Sequence, residues 1–139
     1  MITPELTDEQ RQRAANTLHD LPFSKLIGMR LIDVRYGEAV IGIEMRDELR
    51  QPGGVLHGGV TATLIDTAMA FAALSMLEPG ERTTTVDLTV HYLRPLVSGH
   101  FVCTAKTVRA GKRIFTMSAE VVSDEKKLIA TALSTYTKI

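Results

Sequence analysis

Apolar and polar residues alternate with period two through residues 38–46. Ala39, Ile41, Ile43 and Met45 share one face, while Glu38, Gly42, Glu44 and Arg46 point elsewhere. This alternation predicts a half-buried strand, with residues 31–36 as its hairpin partner and Gly37 at the turn. Residues 83–92 repeat the pattern, with Val86, Leu88, Val90 and Tyr92 on one face and Thr85, Asp87, Thr89 and His91 on the other. Residues 101–108, 114–122 and 128–136 complete a series of strands, separated by Gly111 and by Ser123-Asp124-Glu125-Lys126. Connections this short predict antiparallel pairing.

Two helical segments precede the strands. Thr7 followed by Gln10 has capping-box spacing, and Asp8 and Glu9 suit the positive end of a helix dipole, so a surface helix is expected to run to about His19. Leu21-Pro22-Phe23 through Gly28 reads as a short helical turn closed by glycine.

Between Gly58 and Leu77 the pattern changes to a long stretch that is apolar nearly all round, stopped by Glu78-Pro79-Gly80. Its length approaches the ~20 residues of a membrane span. Asp66 and three threonines, Thr61, Thr63 and Thr67, sit inside it, and an unpaired aspartate at mid-membrane is costly. A helix apolar on all sides in a soluble chain is one wrapped by other structure. The expected fold is therefore α+β, one antiparallel sheet of about six strands curled around one long central helix. Residues 1–22 form an N-terminal helical segment, and residues 1–139 form a single domain. The open sheet edges favour association of copies.

Composition narrows the partners. Sixteen Lys and Arg balance sixteen Asp and Glu in 139 residues, which gives no basic excess for general nucleic-acid binding. One cysteine, Cys103, cannot form an internal disulfide and fits a reducing compartment. The first residues show no basic segment followed by an apolar run, so no signal peptide is expected. The expectation is a cytoplasmic protein without membrane or nucleic-acid partners.

Asp66 is the residue that departs furthest from local preference. Aspartates favour caps and turns, and one in the middle of a buried helix must be paired, protonated or functional. A structural carboxylate bonded to a neighbouring threonine and a reactive carboxylate both satisfy the pattern. His57-Gly58-Gly59 opens the same helix, where free N–H groups and the dipole favour negative charge, including an oxyanion formed during acyl transfer. A flexible turn with a solvated histidine satisfies it too. Nine residues separate His57 from Asp66, about 13–14 Å of helix, so the two cannot meet within one chain. An antiparallel pair of helices in a dimer would bring Asp66 of one copy to His57 and Gly58 of the other.

Gln51-x5-His57-Gly58-Gly59-x6-Asp66-Thr67-Ala68 resembles the signature of hotdog-fold acyl-CoA thioesterases, in the phenylacetic-acid-degradation branch of the 4-hydroxybenzoyl-CoA thioesterase superfamily. The run Thr85 to Pro95, the segment Arg109-Ala110-Gly111-Lys112-Arg113 and the terminal Ala130-x5-Tyr136 extend the resemblance from about Phe23 to the C-terminus. The resemblance implies hydrolysis of acyl-CoA thioesters at a composite site in a homodimer, or in a dimer of dimers. Asp66 takes the position of the catalytic carboxylate, as general base or nucleophile. The Gly58 N–H polarises the thioester carbonyl, and His57 and the Gln51 side chain support that oxygen or its loop. Part of the family holds the water with a Ser or Thr one turn past the carboxylate. Ala70 stands there in this chain, and Thr85 is the substitute.

The resemblance further implies that CoA lies along the surface. Gly59, Tyr92, Arg94, Arg109, Gly111, Lys112 and Arg113 are its candidate contacts, with the cations meeting its phosphates. Tyr92 also fits plain core packing, and the hairpin cations also fit ordinary solvated charge. Leu56, Val60, Leu64, Met69 and Phe71 are candidates for the acyl pocket. No cofactor is expected beyond the CoA of the substrate itself. His19, His57, His91 and His100 show no metal-ligand spacing. The alternative function on the same fold is a non-catalytic acyl-CoA sensor or regulator.

Overall fold

The structure, a computed structural model, describes residues 2–139. Strands β1 (Arg30–Arg35), β2 (Glu38–Glu44), β3 (Thr83–Tyr92), β4 (His100–Ala110), β5 (Ile114–Ser123) and β6 (Leu128–Lys138) form one sheet. Every pairing is antiparallel and the order is β1-β2-β4-β5-β6-β3. The sheet wraps α3 (Gly58–Leu74), which contacts all six strands. This is the expected layout.

Alternation explains the inner face. Ala39, Ile41 and Ile43 of β2 are buried, as are Phe101, Cys103 and Ala105 of β4 and Phe115, Met117, Ala119 and Val121 of β5. They enclose Leu64, Ile65, Ala68, Met69 and Ala72 of α3, each fully buried. Many of these residues are alanines, whose small side chains let the helix lie close to the sheet.

Register shifts break the alternation at four places: one skips Ile129 of β6, which stays buried, and the other three each turn an aliphatic side chain outward. These three fall between Leu31 and Asp33, between Thr85 and Asp87, and between Thr107 and Arg109. Their skipped residues, Ile32, Val86 and Val108, are 53%, 58% and 61% exposed. Strict period two places Val86 with Leu88 and Val90 on the inner face and Thr85 outside. The bulge reverses this for the first part of β3, because one extra residue swaps the faces of everything before it. Thr85 points inward as a result.

Both ends of α3 are tied to the loops that border the sheet. At its start the Leu56 N–H donates to Leu96 O and the His57 N–H to Leu49 O, each at 2.8 Å. At its end Ser75 Oγ accepts from the Gly37 N–H in the β1–β2 turn and donates to Ala72 O, both at 2.7 Å. The helix ends three residues earlier than the sequence suggests. Met76 and Leu77 instead bond Ala73 and Leu74 in tighter i→i−3 fashion, a common way for a last turn to close.

The N-terminal elements also follow the sequence. Helix α1 (Asp8–Asp20) carries the full capping box: Gln10 N–H donates to Thr7 Oγ1 at 3.1 Å and Thr7 N–H to Gln10 Oε1 at 2.8 Å. It packs on β1 and buries Leu18. Helix α2 (Pro22–Ile27) closes at Gly28, whose φ of 88° belongs to the left-handed region that glycine enters freely. Among the described residues, no helix is long and apolar enough to cross a membrane.

Cys103 is fully buried, and loss of hydration pushes its thiol up to about 12. A thiol held neutral and out of contact with solvent is a poor nucleophile. The native protein should therefore react with no Ellman's reagent at pH 8 and with one equivalent in guanidinium. Fast reaction of the native protein would show that β4 opens readily.

Candidate active site

Asp66 lies halfway along α3 on the stripe of the helix that the sheet leaves partly open. Its Oδ1 accepts two hydrogen bonds, from Thr85 Oγ1 at 2.9 Å and from the Tyr136 hydroxyl at 2.6 Å. The Tyr136 hydroxyl also lies 2.7 Å from the Asp66 carbonyl oxygen. Thr85 and Tyr136 are direct partners in the β3–β6 register, so two neighbouring strands present two donors to one carboxylate oxygen. Oδ2 has no hydrogen bond among the described residues. Tyr136 is 1% exposed; burial raises its pKa first, and the bond to Asp66 raises it further. Its hydroxyl therefore remains a donor at any pH near neutrality.

The sequence points to Thr85 but not to Tyr136, which it presents only as the end of the last strand. Its signal is visible in retrospect. A tyrosine at an inward position needs a partner for its hydroxyl, and the one charged side chain in the helix is Asp66. Thr85 also differs from expectation in detail. Its hydroxyl proton is committed to Asp66, which leaves only its oxygen lone pairs for a water.

About 12 Å of helix away, Gly58 begins α3. His57 is the N-cap: its Nδ1 accepts from the Gly59 N–H at 2.8 Å, which leaves Nε2 to carry the proton of the neutral ring. The Gly58 N–H has no acceptor among the described residues, as expected of a first-turn amide. The Tyr92 hydroxyl donates to the Gly58 carbonyl at 2.9 Å, and Tyr92 is 56% exposed, so plain core packing is not its role. Gln51 does not reach toward Gly58. Its Oε1 accepts from the Gly53 N–H in its own turn. Gln51, Leu56, Gly58, Thr61, Tyr92 and Arg94 line a cavity of about 270 Å³ beside the helix start. Arg94 donates to Leu128 O at 2.9 Å, which fixes its guanidinium at the rim.

The remaining candidates sit at the other end of the sheet. Arg109 near the end of β4 and Gly111, Lys112 and Arg113 in the β4–β5 turn lie next to the strand ends that carry Thr85 and Tyr136. Their three cations are exposed, with no ion pair among the described residues. Seven strand residues, about 23 Å, separate Thr85 from Tyr92. One chain therefore holds two separate clusters: a carboxylate with a basic hairpin, and a helix N-terminus with Tyr92 and Arg94. Of the acyl-pocket candidates, Leu64 and Met69 are fully buried and belong to the core, and Leu56 and Phe71 are 7% exposed. Val60 is half-buried. Among the described residues no three His, Cys, Asp or Glu side chains group as a metal site.

Comparison with known proteins agrees with this fold. The family model described as the thioesterase superfamily matches residues 53–130, which span the start of α3, Asp66 and Thr85. The medium/long-chain acyl-CoA thioesterase YigI of Escherichia coli is 29% identical, with 94% of this chain and 96% of that protein covered. A 1,4-dihydroxy-2-naphthoyl-CoA hydrolase of Listeria monocytogenes is 28% identical over 74% of this chain and 84% of its own. The structure of the Escherichia coli PaaI protein, from the phenylacetic acid degradation operon, superposes with a TM-score of 0.85 at 26% identity. It covers 92% of this chain and 91% of its own.

The cap at His57 can be tested apart from any chemistry. His57→Ala should lower the unfolding free energy by about 1 kcal/mol, and His57→Asn, which restores a cap acceptor, should recover most of it. Equal stability of all three proteins in urea would mean that the imidazole contributes no cap.

Proposed function

Because the chain belongs to the thioesterase superfamily, we propose that it hydrolyses acyl-CoA thioesters to the free acid and CoA at a site shared between two copies. The observation that carries this reading is the state of the Asp66 carboxylate: one oxygen is held by two donors and the other is open. An oriented carboxylate with a free oxygen is what thioester hydrolysis needs. The thiolate leaves without a strong acid. Oδ2 takes a proton from water as the water oxygen adds to the carbonyl carbon, or it adds to that carbon itself. In either case the C–S bond then breaks and the thiolate carries off the electron pair. On the second route the acyl group is left on Oδ2 as a mixed anhydride, which a water then hydrolyses to the free acid and the restored carboxylate.

The negative charge that develops on the carbonyl oxygen requires a donor, and the open Gly58 N–H at the helix start supplies it. It comes from the second copy. Strand β3 is a ten-residue edge strand with no neighbour on its outer side in the sheet. Pairing it antiparallel with its copy continues the sheet and sets the two α3 helices antiparallel. If Asp66 faces the partner's Gly58, the two-fold axis passes beside Ala62, where Gly59, Ala62 and Thr63 leave room for close approach. The same pairing brings Arg109, Lys112 and Arg113 of one copy to the side that holds Tyr92 and Arg94 of the other, a divided cradle for the CoA phosphates. His57 supports the oxyanion indirectly, by fixing the first turn. The relatives' names, with medium- to long-chain and aromatic acyl-CoAs among them, set the range of acyl groups to try.

Free-thiol release from a panel of acyl-CoAs tests the reading, with Asp66→Asn lowering turnover by roughly 10²–10⁴-fold while the fold and acyl-CoA binding persist. Binding of acyl-CoA without turnover by the wild type would favour a sensor. The shared site has its own test in Gly58→Pro, which deletes the donor at a helix position where proline is favoured. His57, at φ −64° and ψ 129°, already has the backbone that precedes a proline. Mixing the inactive Asp66→Asn and Gly58→Pro proteins after co-refolding should restore about a quarter of wild-type activity, because half the dimers then carry one intact site. No recovery on mixing would place both groups in the same chain's site.

A further inference from the structure

Resting on the reading of Asp66 as the reacting carboxylate, we infer that Tyr136 is a positioning residue: its hydroxyl and that of Thr85 clamp Oδ1 from two adjacent strands, which makes Oδ2 the oxygen that reacts. The distances of 2.6 and 2.9 Å place both donors on the same atom. A carboxylate held by one bond can rotate about its Cβ–Cγ axis and exchange its oxygens. Two donors from different directions oppose that rotation, and the plane of the group is set by the sheet rather than by the helix that carries it.

Three features make Tyr136 the firmer half of the clamp. It is 1% exposed, so water cannot replace its hydroxyl. It is paired across the sheet on both sides, with Thr85 in β3 and Phe115 in β5, whereas Thr85 lies on the edge strand. Its single hydroxyl proton is shared in a three-centre arrangement between Oδ1 at 2.6 Å and the Asp66 carbonyl oxygen at 2.7 Å, both acceptors on the same residue of the helix. The bulge at Val86 is part of the device. Without it Thr85 faces away from α3, and Tyr136 is left as the sole donor.

The clamp predicts a loss in turnover rather than in binding. A hydrogen bond to a charged group that orients the reacting atom is worth roughly 10–100-fold. Tyr136→Phe keeps the ring and removes the donor, so kcat should fall by about that factor while KM stays at the wild-type value. Thr85→Val, which leaves Tyr136 in place and removes the other donor, should show the same split. It decides the matter if the Phe variant does not fold. Folding is checked by thermal unfolding and circular dichroism. Wild-type kcat in a folded Tyr136→Phe protein, or a loss that lies wholly in KM, overturns the inference. Asp66→Asn run alongside separates the two claims. If that variant turns over normally, the reading of Asp66 fails. If it is inactive while Tyr136→Phe is fully active, only the clamp fails.

Discussion

A carboxylate placed in the middle of a helix that packs on a sheet loses water on one side and must find donors there. Asp66 finds both of its donors on the sheet, and this contact sets the relation between helix and strands on which the site depends. The helix cannot slide or turn on its bed without breaking those bonds, and it is fixed at each end by the Leu56–Leu96 and Ser75–Gly37 links. The fold holds a polar group at the boundary between core and open surface, with one oxygen facing each.

On the proposed reading, the same geometry makes a lone chain only part of a site. Helix rise separates Asp66 from the open Gly58 amide by about 12 Å, and strand rise separates Thr85 from Tyr92 by about 23 Å. Neither distance changes with side-chain motion. A second copy placed by the free β3 edge removes both at once, because a two-fold axis exchanges the ends of helix and strand together. Cys103 and the alanines of the inner face contribute differently. They keep the helix close to the sheet, so that a tyrosine from β6 reaches the carboxylate directly.

Much of this was legible from spacing. The strands, the capping box at Thr7, the glycine stop at Gly28 and the odd placement of Asp66 all follow from local rules that the folded chain obeys. Three things were not. The bulge at Val86 is invisible to periodicity, since an aliphatic residue in an alternating run looks inward whichever face it takes. Tyr136 looked like an ordinary strand residue because its partner lies seventy positions away and is identified by register alone. Of the two roles open to Gln51, the oxyanion or its loop, the bond to Gly53 belongs to the loop, and spacing does not choose between them. A glycine follows two residues later, and a side chain beside such a turn bonds its own backbone before it reaches elsewhere. Asp66 and the glycines at the helix start stand out from local preference and again from the family resemblance, while the arrangement around Asp66 came from the folded chain.

The most direct test is an experimental structure of the protein with an uncleavable 2-oxoalkyl-CoA, a ketone in which a methylene group separates the carbonyl from the sulfur. The account predicts a dimer in which the analogue's carbonyl oxygen lies about 2.7–3.1 Å from the Gly58 amide of one copy. Asp66 Oδ2 of the other copy should face the adjoining carbon, directly or through one water, with Thr85 and Tyr136 still on Oδ1. An analogue bound with its reacting carbon far from every Asp66, or against Asp66 and Gly58 groups that never approach each other, would contradict it.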